Sequence, residues 1–487
     1  MLVTPFRRLF LYAPLQADTT YLTLNQERKS MSRKANQRLE VKYPDAAGID
    51  IGSSVHYICV PEGRDEQSVK KFGCFTADLY EAAKWLKKCR IKTIVMESTG
   101  VYWIPLFQVL EKESFDVKLV NARFVKNVPG RKSDVQDCQW LQQLHSYGLL
   151  QGSFRPEQQI CILRSYIRQR DTLTRSATIH VQRMQKALTQ MNLQLHKVIT
   201  DITGVTGMRI LQAILAGERN PLKLAALRDK RTKNKEDTIS KALEGDYREE
   251  HLFTLKQEFE LYNIYRKKIE ECDLQISNTY KKLDTKTDFD TLQASISTLK
   301  KKKDVDKDKA TFDLRRELHR ITGGDLTTIP GINTLSAQAI ISEVGVDPSC
   351  WPTEKHFTSW LGLSPANKIT GEKVFSTRTR KVNNRASTAF RMAALAVSRT
   401  ETALGSFFRR IKNRHGAPKA ITATARKIAC IFYRMLQYGQ DYVELGMEIY
   451  ERRYKERVEA SFRKKAAELG FDLVPLQKTS LIAKEVS

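Results

Sequence analysis

Near residue 155 the apolar side chains change their spacing, and that change constrains the fold more than any other feature of the chain. Before it, apolar residues come in short β-branched runs; after it, they recur at steps of three and four residues. A sheet-forming segment followed by a helical one requires at least two folding units. A length of 487 residues accommodates two or three.

Residues 45–150 read as α/β. GIDIG (48–52), VHYICV (55–60) and SVKKFGCF (68–75) predict three strands of an antiparallel meander. A helix is expected over 77–90, with Leu79, Ala82, Ala83 and Leu86 on one face. TIVMEST (93–99) predicts a buried strand, 103–113 a helix, DVKLVNA (116–122) a fifth strand and 133–147 another helix. Three strands followed by helix, strand, helix, strand, helix is the ribonuclease-H-like order.

Leu173, Ala177, Val181, Met184, Leu188, Met191, Leu195 and Val198 form a seam of coiled-coil spacing. A looser one runs through Leu255, Phe259, Tyr262, Ile269, Cys272, Ile276 and Leu283, with a Gly-containing helical segment, 200–250, between the two. The expectation is an antiparallel helical arm, 151–283, around a helical tip, which also dimerises; an ordinary bundle would carry the same spacing. Residues 284–317, with KKKKDVDKDK, read as a solvated basic linker whose lysines could also touch phosphate. Residues 318–475 read as a mainly α C-terminal domain, and 476–487 as a tail. Within that domain TIPGINTLSAQAIISEVG (328–345) has the pattern of a helix-hairpin-helix, in which backbone N–H groups approach a phosphate. ITGVTGMRILQAIL (202–215) is a weaker echo. A helix–turn–helix that only packs would look the same.

Charge names the kind of partner. Lys and Arg number 82 against 55 Asp and Glu, a net +27, which calls for a polyanion. No apolar run approaches the roughly 18–20 residues of a spanning helix, so nucleic acid is favoured over membrane. Residues 370–434 hold fifteen Lys and Arg against Glu372 and Glu401, about half of the net charge. Because AFRMAALAV (389–397) mixes this charge with helical apolar spacing, it belongs to folded helices with a basic surface. Lys373, Arg378, Arg380, Lys381, Arg385, Arg391, Lys419, Arg426 and Lys427 are the candidate nucleic-acid contacts.

The eight cysteines are scattered, with no C-x-x-C pair and no Cys/His cluster of zinc spacing, so they read as core residues of a reducing compartment. MLVTPFRRLFLYAPLQA faintly suggests a signal peptide, but Pro14 breaks its apolar stretch. Residues 1–44 read instead as a disordered extension, or Met31 as the true start. The expected location is cytoplasmic, on the nucleoid.

Four carboxylates carry the chemistry. Asp50 ends an apolar strand, where a charge faces either the core at high cost or a site at the strand's edge. Glu97 closes TIVME, and Asp134 and Asp137 share one face near a helix start. Singly, Asp134 serves a helix dipole and Glu97 a surface. Together they form the metal-binding layout of ribonuclease-H-like nucleases, with the oxygen ligands Mg²⁺ prefers, and paired ions can stabilise attacking and leaving oxygens at a phosphodiester.

AGIDIG, VMESTGVYWIPL, LVNARFVKNVPGRKSDVQDCQWL, WLGLSPANKITGEKV, NNRASTAFRMAA and GAPKAITATARKIA resemble the DEDD transposases of the IS110 insertion-sequence family, related to pilin-gene invertases. The resemblance runs from about residue 45 to about 475. It implies a DNA recombinase whose acidic tetrad is Asp50, Glu97, Asp134 and Asp137, binding Mg²⁺ (or Mn²⁺). It further implies that the α/β domain is RuvC-like and is paired with a C-terminal transposase domain holding a nucleophilic serine in a Ser-Gly pair. The two form a composite site between subunits of a tetramer; the expected homo-oligomer is a dimer to tetramer. Double-stranded element and target DNA and a structured bridge RNA are the implied partners. At the serine position this chain has Thr370, before Gly371; Ser364 and Ser376 are the competing hydroxyls. The alternatives are a metal-dependent Holliday-junction-type nuclease using water, and a catalytically weakened nucleic-acid-binding remnant.

Overall fold

The structure, a computed structural model, describes residues 40–98, 100–120, 133–287, 310–371 and 373–474, with the side chains of 440–446 excepted. Most of the expected extension and linker, the tail, and residues 121 and 122 of the fifth strand lie outside the described residues. The chain divides into two compact units, Met1–Arg155 and Pro156–Ser487.

The first unit is a five-stranded sheet of order β3-β2-β1-β4-β5. Its strands are β1 (Ala46–Ile51), β2 (Val55–Cys59), β3 (Val69–Gly73), β4 (Thr93–Glu97) and β5 (Asp116–Val120), and its helices α1 (Thr76–Lys88), α2 (Trp103–Lys112) and α3 (Asp134–Ser146). β1, β2 and β3 pair antiparallel, and β4 and β5 join parallel to β1. The expected elements are all present, with ends within about two residues.

Alternation along the central strands decides which side chain meets which layer. Ala47, Ile49 and Ile51 of β1 and Ile94 and Met96 of β4 join Leu79, Ala82, Leu86, Leu106 and Leu110 in one core. The opposite face carries Val95 and Val120, which pack with Leu141 of α3. Gly48 shares that second face, and a Cβ there would collide with the Cys138 carbonyl and the Gln142 amide. Glycine therefore lets α3 lie directly on β1.

The second unit opens with α4 (Gln158–Gln190). It continues through α5 (Leu195–Val198), α6 (Val205–Leu215), α7 (Pro221–Ala226), α8 (Glu236–Lys241) and α9 (Glu249–Tyr280). Arg170 pairs with Asp273 at 2.5 Å and His180 with Glu258, also at 2.5 Å, so α4 and α9 run antiparallel. The expected seams need two corrections. α4 ends at Gln190, so Met191, Leu195 and Val198 belong to the tip, whose core they share with Ile210, Ile214 and Leu224. On α9 the buried residue is Asp273 and not Cys272, because Arg170, itself buried, needs a carboxylate there.

The C-terminal helices are α10 (Leu314–Thr322), α11 (Thr334–Val344), α12 (Glu354–Trp360), α13 (Arg385–Val397), α14 (Ala403–His415), α15 (Ala417–Tyr438) and α16 (Gln440–Glu468). Their core is aromatic: Phe357, Phe390 and Phe432 are fully buried, Phe390 meeting Phe432 edge-on at 5.4 Å. Arg168 grips Glu343 with bonds of 2.7 and 3.0 Å, fastening the base of α4 to α11. What the sequence reading separates into arm and C-terminal domain is thus one compact unit. A two-stranded antiparallel hairpin, β6 (Lys368–Thr370) and β7 (Lys373–Ser376), interrupts the helices and was not expected.

Candidate acidic centre and basic cavity

Three elements bring the four carboxylates together. The parallel register Ile49↔Met96 makes Asp50 and Glu97 neighbours at the C-terminal ends of β1 and β4. Alternation places both on the face covered by α3. Along that helix, Gln142 bonds the Ala46 carbonyl at 3.3 Å and Cys138 sits over Gly48, so α3 runs antiparallel to β1. Its first turn, with Asp134 and Asp137, therefore comes to the Asp50 end of the strand. Ser133 caps that turn, its hydroxyl accepting from the Gln136 amide at 3.3 Å. The cap accounts for the helix start without Asp134, leaving its exposed carboxylate for another role.

Electrostatics records the convergence. The half-buried Asp50 carboxyl is pushed up to about 6, first by burial and then by the negative charges of Asp134, Asp137 and Glu97, against a smaller lowering by the Ile51 amide. Four repelling carboxylates at strand ends are the donor set a hard divalent cation neutralises. Among the described residues no three His, Cys, Asp or Glu side chains yet stand within metal-holding distance of one another. By chemistry the four carboxylates are donors of the kind Mg²⁺ takes.

In the second unit, the candidate cations separate into groups. Arg378, Lys419, Arg426 and Lys427 line one cavity of about 1320 Å³, bounded by the end of the hairpin and by α14, α15 and α16. Lys373, Arg380 and Lys381 lie on and after the hairpin, all exposed, Arg380 donating to the Ser359 carbonyl at 2.7 Å. Arg385 pairs with Asp171 at 2.9 Å, and Arg391 donates to the Ser387 hydroxyl at 3.3 Å, so both have structural partners. The sequence reading missed Phe407, Thr422, Arg434, Tyr450 and Arg453 of the same cavity. Helical spacing from Lys419 through Thr422, Arg426 and Cys430 to Arg434 was the available signal on α15.

The hydroxyls differ in surroundings. Thr370 ends β6 opposite Lys373 and is exposed. Ser364 shares a 2.9 Å hydrogen bond with the fully buried Thr358, and the Ser376 hydroxyl accepts from the Arg378 amide at 3.2 Å. The Pro330-Gly331 turn of the helix-hairpin-helix candidate follows a single 3₁₀ turn, Leu326–Thr328. A Cβ on Gly331 would collide with the Ala393 carbonyl, so packing against α13 already explains that glycine.

Residues 47–193 match a model for IS110-type DEDD transposases, described as Transposase. Residues 324–409 match a second, described as Transposase IS116/IS110/IS902 family. The two matches stand in sequence order, the first running from the first unit through α4 of the second and the other lying within the second unit. Over both segments the chain is similar to transposases of the IS110 family. The four carboxylates fall within the first matched segment and Thr370 within the second, whereas Lys419, Arg426 and Lys427 lie beyond it. The chain is also similar to an uncharacterised 43.6 kDa protein of insertion element IS110 from Streptomyces coelicolor, strain ATCC BAA-471, 27% identical over 119 residues. That alignment covers 24% of this chain and 29% of the relative. No described helix is long and apolar enough to cross a membrane.

Proposed function

We propose that this chain is a DNA transposase that cuts and rejoins strands with a Mg²⁺-dependent tetrad, Asp50, Glu97, Asp134 and Asp137, and the hydroxyl of Thr370. The raised Asp50 carboxyl, with three like charges converging on it, carries the reading. The strand order and pairing of the first unit support a ribonuclease-H-like fold for it. Bound Mg²⁺ would neutralise the oxygens of the scissile phosphate. Asp50 and Glu97 from the strand ends and Asp134 and Asp137 from the first turn of α3 would hold the ion.

Thr370 is the nucleophile of this reading. Its Oγ forms a bond to phosphorus as the bond to the leaving sugar oxygen breaks, and the threonine proton passes through solvent to that oxygen, which leaves as a hydroxyl. Ser364 is engaged with buried Thr358, which supports Thr370 over it. The β-branch restricts χ1, so Thr370 is a slower nucleophile than serine would be. The basic surfaces hold element and target DNA and a structured guide RNA, and the chain works as a dimer or tetramer in the cytoplasm; the net charge of +27 supports the nucleic-acid partners.

A covalent protein–DNA adduct tests the scheme. A nicked element-end substrate incubated with the chain and Mg²⁺ should trap DNA on Thr370, mapped by mass spectrometry, and none should form with Thr370→Ala. The exposed position of Thr370, far less enclosed than Ser364, favours one second reading: a junction nuclease in which the tetrad directs water. Cleavage with no adduct would select it.

A further inference from the structure

The cavity beside β7 combines two chemistries that duplex DNA does not use together. Buried Leu363 and Leu404 form its floor, and Phe407, Ile431 and Tyr450 add apolar wall. Around them stand Arg378, Lys419, Arg426, Lys427 and Arg453, none with an ion pair among the described residues. The two lining acids are committed elsewhere. Glu354 is held by Arg434 through bonds of 2.6 and 2.9 Å, and Glu451 accepts from the Ala403 amide at 2.7 Å.

Lys427 joins the two layers. Its ammonium sits 4.3 Å from the centre of the Phe407 ring and 4.7 Å from that of Tyr450, and donates to the Tyr450 hydroxyl at 3.1 Å. Two aromatic walls are thereby held apart by one cation.

A duplex would satisfy the cations with its outer phosphates and leave the apolar chamber filled with water. A small anion would do the same. An unpaired nucleotide brings both parts, a phosphate for the cations and a flat base for the aromatic and apolar walls. At about 1320 Å³ the chamber exceeds the roughly 300–1,000 Å³ that encloses a drug-sized ligand, so it has room for more than one base. Ser376, Thr377 and Thr379 of its lining belong to the end of β7 and the chain just after it, and the paired strand β6 ends at Thr370.

We propose that this cavity captures unpaired nucleotides of the DNA strand presented to the hairpin, bases inside and phosphates on Arg378, Lys419 and Arg426. The proposal rests on the DNA-handling reading above and adds to it a single-strand subsite. Strand exchange requires nucleotides to leave one duplex before entering another, and such a chamber would hold them unstacked.

Fluorescence anisotropy with the full chain tests this, using short oligodeoxythymidylate, a duplex of the same length and oligouridylate. Ala423→Trp fills the chamber from α15 without removing a charge. Tyr450→Leu keeps apolar volume and removes a stacking face, and serves where the tryptophan variant melts early. Each should weaken single-stranded DNA binding about ten-fold or more and leave duplex binding within about two-fold. Unchanged single-strand affinity in a variant that melts like the parent overturns the subsite, as does equal loss for duplex. A larger loss for oligouridylate than for oligodeoxythymidylate overturns the assignment to DNA. A parent chain that binds neither DNA form overturns the nucleic-acid reading itself and the subsite with it.

Discussion

The two units concentrate opposite charges by opposite means. In the first, carboxylates are carried on three elements of one packed domain, and burial, followed by the charges of the other three, raises the Asp50 carboxyl. In the second, cations are spread over a hairpin and the faces of long helices, around a chamber, where solvent relieves their repulsion. The hairpin is open too: Ile369, Val374 and Phe375 are 61%, 57% and 83% exposed. The acidic set has its backbone positions fixed by packed elements while its side chains still stand apart, whereas the basic surface is open and carries exposed apolar side chains. The difference teaches that a packed sheet and helix fix where charges start from, and that long helices and a hairpin leave them spread.

Removing one ligand charge breaks the comparison most sharply. Asp50→Asn or Glu97→Gln should lower recombination by about 10²-fold or more with DNA binding retained, read in a donor–target plasmid assay. Full activity in either variant removes the tetrad. Thr370→Ala should abolish adduct and strand transfer, whereas Thr370→Ser should equal or exceed the natural chain in the same assay. An active alanine variant sends the nucleophile elsewhere.

The basic unit answers to salt. Neutralising Arg378, Arg380 and Lys381 together should reduce the slope of log affinity against log salt by roughly two to three on duplex DNA. An unchanged slope makes these residues a solvated face.

Stability sharpens the acidic side with a smaller effect. Folded Asp50 titrates near 6, above its ordinary 3.8, so folding takes up a proton between those values. That contribution is present below about pH 4 and lost as pH rises through 6. Without metal at pH 7.5, Asp50→Asn should therefore stabilise the first unit by on the order of 1 kcal/mol, discounted for partial exposure. The gain should vanish near pH 4, and Mg²⁺ should raise the melting temperature of the parent only.

An effect of opposite sign and similar size belongs to His145. It is buried, bonded to the Thr93 hydroxyl at 2.9 Å and stacked on Tyr43 at 5.2 Å. Burial, with Lys118 nearby, lowers it to about 4. Its neutral form supports the fold above pH 6.5, and that support is lost as pH falls towards 4. In the Asp50→Asn background melting temperature should fall steadily across this window. A flat profile would place His145 in contact with water.

Much of this molecule is legible in its residues. Apolar runs place the central strands β1 and β4, which are buried on both faces, and alternation helps to place β2, β3 and β5 around them. Asp50 stands out because a charge is costly at the end of an apolar strand, and Glu97, Asp134 and Asp137 stand out by the order in which they follow it. The tip of the arm is less legible, since Met191 and Leu195 keep helical spacing after α4 has ended. Asp273 is invisible as a core residue until Arg170 is placed beside it from a distant helix.

The sequence by itself determined the change of period, the secondary structure of the first unit, the acidic set and the sign of the partner's charge. These depend on local propensity and composition, which neighbouring residues carry. Only the tertiary structure decided that Gly48 admits α3 onto β1, that Ser364 is occupied by Thr358, and that β7, α14, α15 and α16 enclose one chamber. Each of these joins residues remote in the chain, or turns on which way a side chain faces, and packing alone settles that.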